Sequence, residues 1–126
     1  MSDLLIKDAT DCLGVVKDIR ISGSHISEIG PRLSARSDET VIDARGLIAL
    51  PGLVDLHTHL REPGYEQSET ILSGSRSAAA GGFTAVHAMA NTSPVQDTAG
   101  VVEQVSALGR DAGYVDVIPV GAVTIG

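Results

Sequence analysis

Hydrophobic and polar positions change rhythm near residue 50. Before it, apolar residues come in short runs separated by polar turns. Asp18-Ile19-Arg20-Ile21 alternates polar and apolar, Ser22-Gly23-Ser24 supplies turn chemistry, and His25-Ile26-Ser27-Glu28-Ile29 follows until Gly30-Pro31 stops it. Alternation on both sides of a glycine turn predicts a β-hairpin. Residues 33–39 are polar and read as a loop. Thr40–Asp43 and Leu47–Leu50 read as further short strands around Arg45-Gly46.

From Pro51 onward the rhythm becomes strand, loop, helix, repeated. Leu53–His57 is a strand with an apolar bias, followed by a loop from Arg61 to about Gln67. Ile71, Leu72, Ser75, Ala78 and Ala79 share one helical face, whose small residues would allow close approach to a sheet, and Gly81-Gly82 stops the helix. Thr84–Met89 reads as a second strand. Asp97 or Thr98 caps a second helix with an apolar face of Val101, Val102, Val105 and Leu108, which Gly113 ends before a third strand at Tyr114–Val120. Strand–helix–strand–helix–strand order predicts an α/β architecture with parallel pairing through right-handed crossovers. Two segments are expected, 1–50 and 51–126.

Composition narrows the classes. A hydrophobic share of 43% with 20% charged residues suits a globular chain. The net charge of −7 disfavours nucleic acid and anionic membrane as partners, and three aromatics (Tyr65, Phe83, Tyr114) offer no base-stacking platform. Cys12 is the sole cysteine, so no internal disulfide is expected, and it reads as a small core residue. No signal-like or membrane-spanning run is recognisable, which makes a cytoplasmic location the default expectation.

Chemistry concentrates in Pro51-Gly52-Leu53-Val54-Asp55-Leu56-His57-Thr58-His59-Leu60-Arg61-Glu62-Pro63-Gly64. Strand side chains alternate faces, so His57 and His59 point the same way and can converge on one zinc-like ion. An isolated His-x-His is more often a pair of unrelated surface histidines; here the flanking residues favour the metal. Asp55 has the parity of the histidines and reads equally as a ligand-orienting group or as a strand-end hydrogen-bonding residue. His25 reads as a surface residue and His87 as a packed, hydrogen-bonded one. Glu62 and Glu66 are loop acids with no assigned catalytic role.

The same segment resembles the first-strand signature of the cyclic amidohydrolases, the dihydroorotase family in particular. Val41–Gly46, Glu69-Thr70 with Ala78–Val86, and Ala88–Val95 resemble further stretches of that family in the same order. The resemblance implies a metal-dependent hydrolase (β/α)8 TIM barrel preceded by part of a small β-sandwich. It implies His57 and His59 as metal ligands, Arg61 and Asn91 as substrate-carboxylate ligands, and one or two Zn2+ ions per site. The implied reaction is reversible cyclisation of N-carbamoyl-L-aspartate to L-dihydroorotate in pyrimidine biosynthesis. A homo-oligomer or a carbamoyltransferase partner stays open. Another cyclic amidohydrolase, allantoinase-like or hydantoinase-like, and a non-catalytic structural partner of a carbamoyltransferase are the alternatives. Ala90, Ser93 and Gln67 depart from residues common in the family. A full barrel needs about 250 residues, and the family's bridging acidic group, further histidines and proton-shuttling aspartate have no counterpart among these 126. The expectation is therefore an amino-terminal portion with about three barrel strands and two helices, inactive alone.

Overall fold

The computed structural model describes residues 3–124. Two compact units divide the chain, Met1–Pro51 and Gly52–Gly126.

The first unit is a four-stranded sheet in the order β3-β2-β1-β4, formed by β1 (Leu4–Thr10), β2 (Val16–Ser22), β3 (His25–Gly30) and β4 (Thr40–Asp43). Strands β1, β2 and β3 pair antiparallel, and β4 lies parallel to β1. The hairpin expected over residues 18–29 is β2–β3, with Ser22 opposite His25. Leu5 and Ala9 are buried, and between them β1 bulges at Asp8, whose φ is 58°. Asp18 secures the bulge. Its carboxylate accepts from the backbone N–H of Asp8 and of Leu33, each at 2.8 Å. Arg20, also buried, donates to Glu39 and Glu28 and to the Ser34 carbonyl, fastening the 31–39 loop to the sheet.

Two expectations fail here. Leu47–Leu50 does not form a strand, because β1 stops at Thr10 and leaves a single residue to pair; only an isolated bridge joins Thr10 and Ile48. Cys12 is exposed, not core. The turn that carries it is held by polar bonds, with the Asp11 carboxylate accepting from the Leu13 and Val15 N–H groups at 2.9 Å.

The second unit contains β5 (Leu53–Thr58), α1 (Ile71–Ala80), β6 (Phe83–Ala88), α2 (Ala99–Ala112) and β7 (Asp116–Pro119). Its strands form an all-parallel sheet in the sequential order β5-β6-β7. Helix α1 packs on β6, α2 packs on β7, and the helices touch each other, so both cover one face. A sequential sheet with helices on one face only is how a (β/α)8 barrel begins. The core comprises Leu60, Ile71, Val86, Ala88, Val105 and Val115, with Ala78, Ala79, Phe83, Leu108 and Val117 packed against it. Each fully buried branched side chain contributes about 1.5–3 kcal/mol.

Both helices start at threonine N-caps. Thr70 forms a capping box with Ser73, and Thr98, one of the two expected caps, accepts from the Val101 N–H. The inner face of α1 differs from expectation. Leu72 is exposed and Gly74 buried, packed so closely that a Cβ on Gly74 would stand 2.6 Å from Leu60 Cδ2. Gly109 does the same for α2, where a Cβ would lie 2.5 Å from that of Val117. Close helix–sheet approach therefore rests on glycine at the tightest points, with Ser75, Ala78 and Ala79 alongside.

Candidate active site

Strand β5 delivers His57 to the carboxyl end of the sheet, and His59 follows just beyond the strand. Their ring centroids lie 5.1 Å apart with planes at 67°. Two imidazoles bound tetrahedrally to one ion at about 2.0–2.1 Å place their centroids about 5 Å apart, so the pair fits a shared zinc-like ion. Among the described residues no group of three or more His, Cys, Asp or Glu side chains could hold a metal. Among the described residues, His57 and His59 are thus a candidate pair and not a complete ligand set.

Asp55 does not share the histidines' face. The β5–β6 register shifts between Asp55 and Thr58, a bulge that interrupts the alternation assumed from sequence. Asp55 pairs with Val86, a core residue, and lines a cavity beneath α1 with Thr58, Leu60 and Glu69. The His57 backbone N–H donates to its Oδ1 at 2.9 Å, and this bond is the main reason its carboxyl sits below the usual aspartate value. Asp55 therefore shapes the strand end through the backbone.

Asn91 lies on the loop after β6. Its Oδ1 accepts from His59 Nδ1 at 2.8 Å. Arg61, on the loop after β5, adopts a left-handed backbone with φ of 65°, and its carbonyl accepts from the Tyr65 N–H at 3.0 Å. Arg61, Tyr65, Ser68 and Asn91 line a cavity of about 250 Å³. Among the described residues no carboxylate pairs with the Arg61 guanidinium, in contrast to Arg20, Arg36, Arg45 and Arg110.

The two loops dock directly. The Ser93 N–H donates to the Pro63 carbonyl at 2.9 Å, and Gly64 sits so close that a Cβ would come 2.2 Å from the Ser93 carbonyl oxygen. With φ of 102°, Gly64 also holds a backbone conformation that other residues rarely adopt. Behind the Asn91 loop, fully buried Gln96 donates from Nε2 to the Met89 carbonyl at 2.7 Å, while its backbone bonds Ala90 and Ala122.

The loop acids serve the backbone. Glu62 Oε2 accepts from the Ile71 N–H at 2.7 Å, at the positive end of α1, and Glu66 Oε1 accepts from the Gly64 N–H at 2.8 Å. His25 is exposed, and half-buried His87 contacts the Asp55 carbonyl through Nδ1 at 3.3 Å; neither joins the site. Tyr65, Ser68 and Gln96 escaped the sequence reading. Tyr65 carried a usable signal, an aromatic one helical turn beyond Arg61 in an aromatic-poor chain. Gln96, a polar residue in a polar loop, carried none.

A family model described as dihydro-orotase-like matches residues 46–126. The chain belongs to the dihydro-orotase-like family. A dihydroorotase from Leifsonia xyli subsp. xyli is 71% identical over 86% of this chain and 25% of its own length. A dihydroorotase from Streptomyces coelicolor is 58% identical over 100% of this chain and 29% of its own. The chain thus spans between a quarter and a third of these curated relatives. Among solved structures, an L-hydantoinase (dihydropyrimidinase) from Arthrobacter aurescens superposes with a TM-score of 0.82 over 96% of this chain and 28% of that one; at 24% identity it shares the fold. Within the dihydro-orotase-like family, the two-histidine strand and its two loops lie inside the matched span. No helix among the described residues is long and apolar enough to cross a membrane.

Proposed function

We propose that this chain supplies the first metal ligands and the carboxylate-binding groups of a dihydroorotase, the enzyme that interconverts N-carbamoyl-L-aspartate and L-dihydroorotate in pyrimidine biosynthesis. In this reading residues 1–50 are the amino-terminal part of a small β-sandwich domain, and 51–126 are the first βαβαβ segment of the barrel. His57 and His59 hold zinc, one or two ions per site. Arg61 and Asn91 bind the substrate carboxylate. The remaining ligands and the general acid/base belong to later barrel strands, so the 126 residues alone are inactive. The setting is cytoplasmic.

The observation that carries this reading is the unpaired Arg61 guanidinium, sharing a cavity with Asn91 next to the two histidines. A guanidinium fork matches a carboxylate bidentately and holds its charge at every physiological pH. When zinc is bound, the chemistry supplied there is Lewis-acid polarisation of an amide carbonyl. Arg61 holds the substrate's carboxylate, and His57 and His59 present imidazoles from one short stretch of backbone.

The test is Arg61→Ala in the full-length protein, assayed in both directions. A lost charge-assisted pair of about 1.5–3 kcal/mol lowers kcat/KM by about 10- to 150-fold. Unchanged kcat/KM for dihydroorotate, or equal loss on a hydantoin lacking the carboxylate, overturns the assignment.

A further inference from the structure

Asn91 stands between the His59 imidazole and the cavity that Arg61 lines. Its Oδ1 lies 2.8 Å from His59 Nδ1. An amide oxygen only accepts, so the proton of a neutral His59 sits on Nδ1 and the lone pair on Nε2. The reverse amide orientation would place NH2 against Nδ1, move the imidazole proton to Nε2 and remove that nitrogen as a ligand. The same bond orients the amide. With Oδ1 engaged, the NH2 group is the free end of Asn91, and it has no partner among the described residues while the side chain lines the cavity of Arg61, Tyr65 and Ser68.

We infer that Asn91 is a positioning residue for His59 as well as a carboxylate ligand: one hydrogen bond selects the Nε2-ligating tautomer of the histidine and turns the amide donors toward the anion. This rests on the metal and carboxylate reading above. Its structural supports are separate from that reading. Ser93 N–H to Pro63 O, Gln96 Nε2 to Met89 O and Gln96 N–H to Ala90 O hold the loop on either side of Asn91, so the amide meets the imidazole without relying on a ligand. Groups that orient metal-binding histidines through the second ring nitrogen change metal affinity by about 10- to 100-fold when removed.

Two substitutions in the full-length protein separate the roles. Asn91→Ala removes both the acceptor and the donors; Asn91→Asp keeps the acceptor and replaces the donors with charge. The readouts are the His59 tautomer in the metal-free protein, from long-range 15N–1H correlation spectra, and zinc affinity by competition with a chromophoric chelator. The expected result is an Nδ1–H tautomer in the parent and in Asn91→Asp, a mixed tautomer in Asn91→Ala, and zinc binding about 10- to 100-fold weaker only in Asn91→Ala. Asn91→Asp still raises KM for N-carbamoyl-L-aspartate. An unchanged tautomer and zinc affinity in Asn91→Ala, or equal zinc loss in both variants, overturns the positioning role. A retained tautomer pattern with no KM change in Asn91→Asp instead leaves the positioning role standing and removes Asn91 from carboxylate binding, so the two failures are distinguishable.

Discussion

The two units differ in the charge they bury. In Met1–Pro51 the buried ionic groups are paired: Asp18 takes two backbone N–H groups and lies 3.7 Å from Lys7 Nζ, and Arg20 takes two carboxylates and a carbonyl. Those bonds hold a bulge and a long loop against a thin sheet. In Gly52–Gly126 the core is apolar, and the polar groups at the strand ends, the Arg61 guanidinium and the Asn91 NH2, have no protein partner among the described residues. A polar group that a fold satisfies internally serves stability. One left open on a cavity is available to a ligand. Arg32 and Arg76 also have no carboxylate partner among the described residues, and what sets Arg61 apart is the cavity it lines with Asn91.

Breaking the apolar side of the contrast has the largest effect. Ile71→Ala, at a fully buried position, costs the second unit about 2–5 kcal/mol, whereas Leu72→Ser, one residue on and exposed, stays within about 0.5 kcal/mol. Urea unfolding with amide exchange read separately on β2 and β6 checks both, and protection in β2 should survive. Equal costs at 71 and 72 would show that α1 turns a different face inward.

Next in size is Gly64→Ala. A positive φ and a carbonyl oxygen 2.2 Å from the new Cβ part the Arg61 and Asn91 loops, at a strain of about 1–3 kcal/mol. Turnover by the full-length protein should fall at least tenfold with helix content unchanged by circular dichroism. Full activity would mean that the loops need not dock.

The smallest effect sharpens the charged side. Backbone N–H donation, first from Asp8 and also from Leu33, holds the Asp18 carboxyl below its ordinary value of 3.8. A lowered folded pKa gives stability that is complete above the unfolded value and lost as pH falls through the folded one. The first unit should therefore weaken below about pH 4, and Asp18→Asn should flatten that dependence while lowering stability at neutral pH. Acid titration of β2 amide exchange reads it directly.

Much of this was legible from residue order. The hairpin over 18–29 and the strand–helix alternation after Pro51 emerge because periods of 2 and 3.6 match unbroken elements. What escaped did so where periodicity fails. The β5 bulge re-phases Asp55 against His57, and no residue type announces it. Leu72 lies beside Ile71 on the helical wheel, so hydropathy favours it over Gly74, whose role is to be small. Cys12 and Leu47–Leu50 follow composition in sequence, yet they sit where β1 has already ended. Of the candidate site, His57, His59, Arg61 and Asn91 are the residues the sequence proposes. The bond joining His59 to Asn91 was not legible, because it links positions 32 apart through loop geometry.

Glu62 and Glu66 follow Arg61 closely in a chain of net charge −7, and either would be a natural internal counter-ion. Both are diverted, one to the first N–H of α1 and the other to the Gly64 N–H. Under the carboxylate-binding role proposed for Arg61, a substrate carboxylate would have neither acid to displace. The start of α1 thus commits the Glu62 charge to a backbone N–H, and the carboxylate next in sequence to Arg61 is spent on the helix.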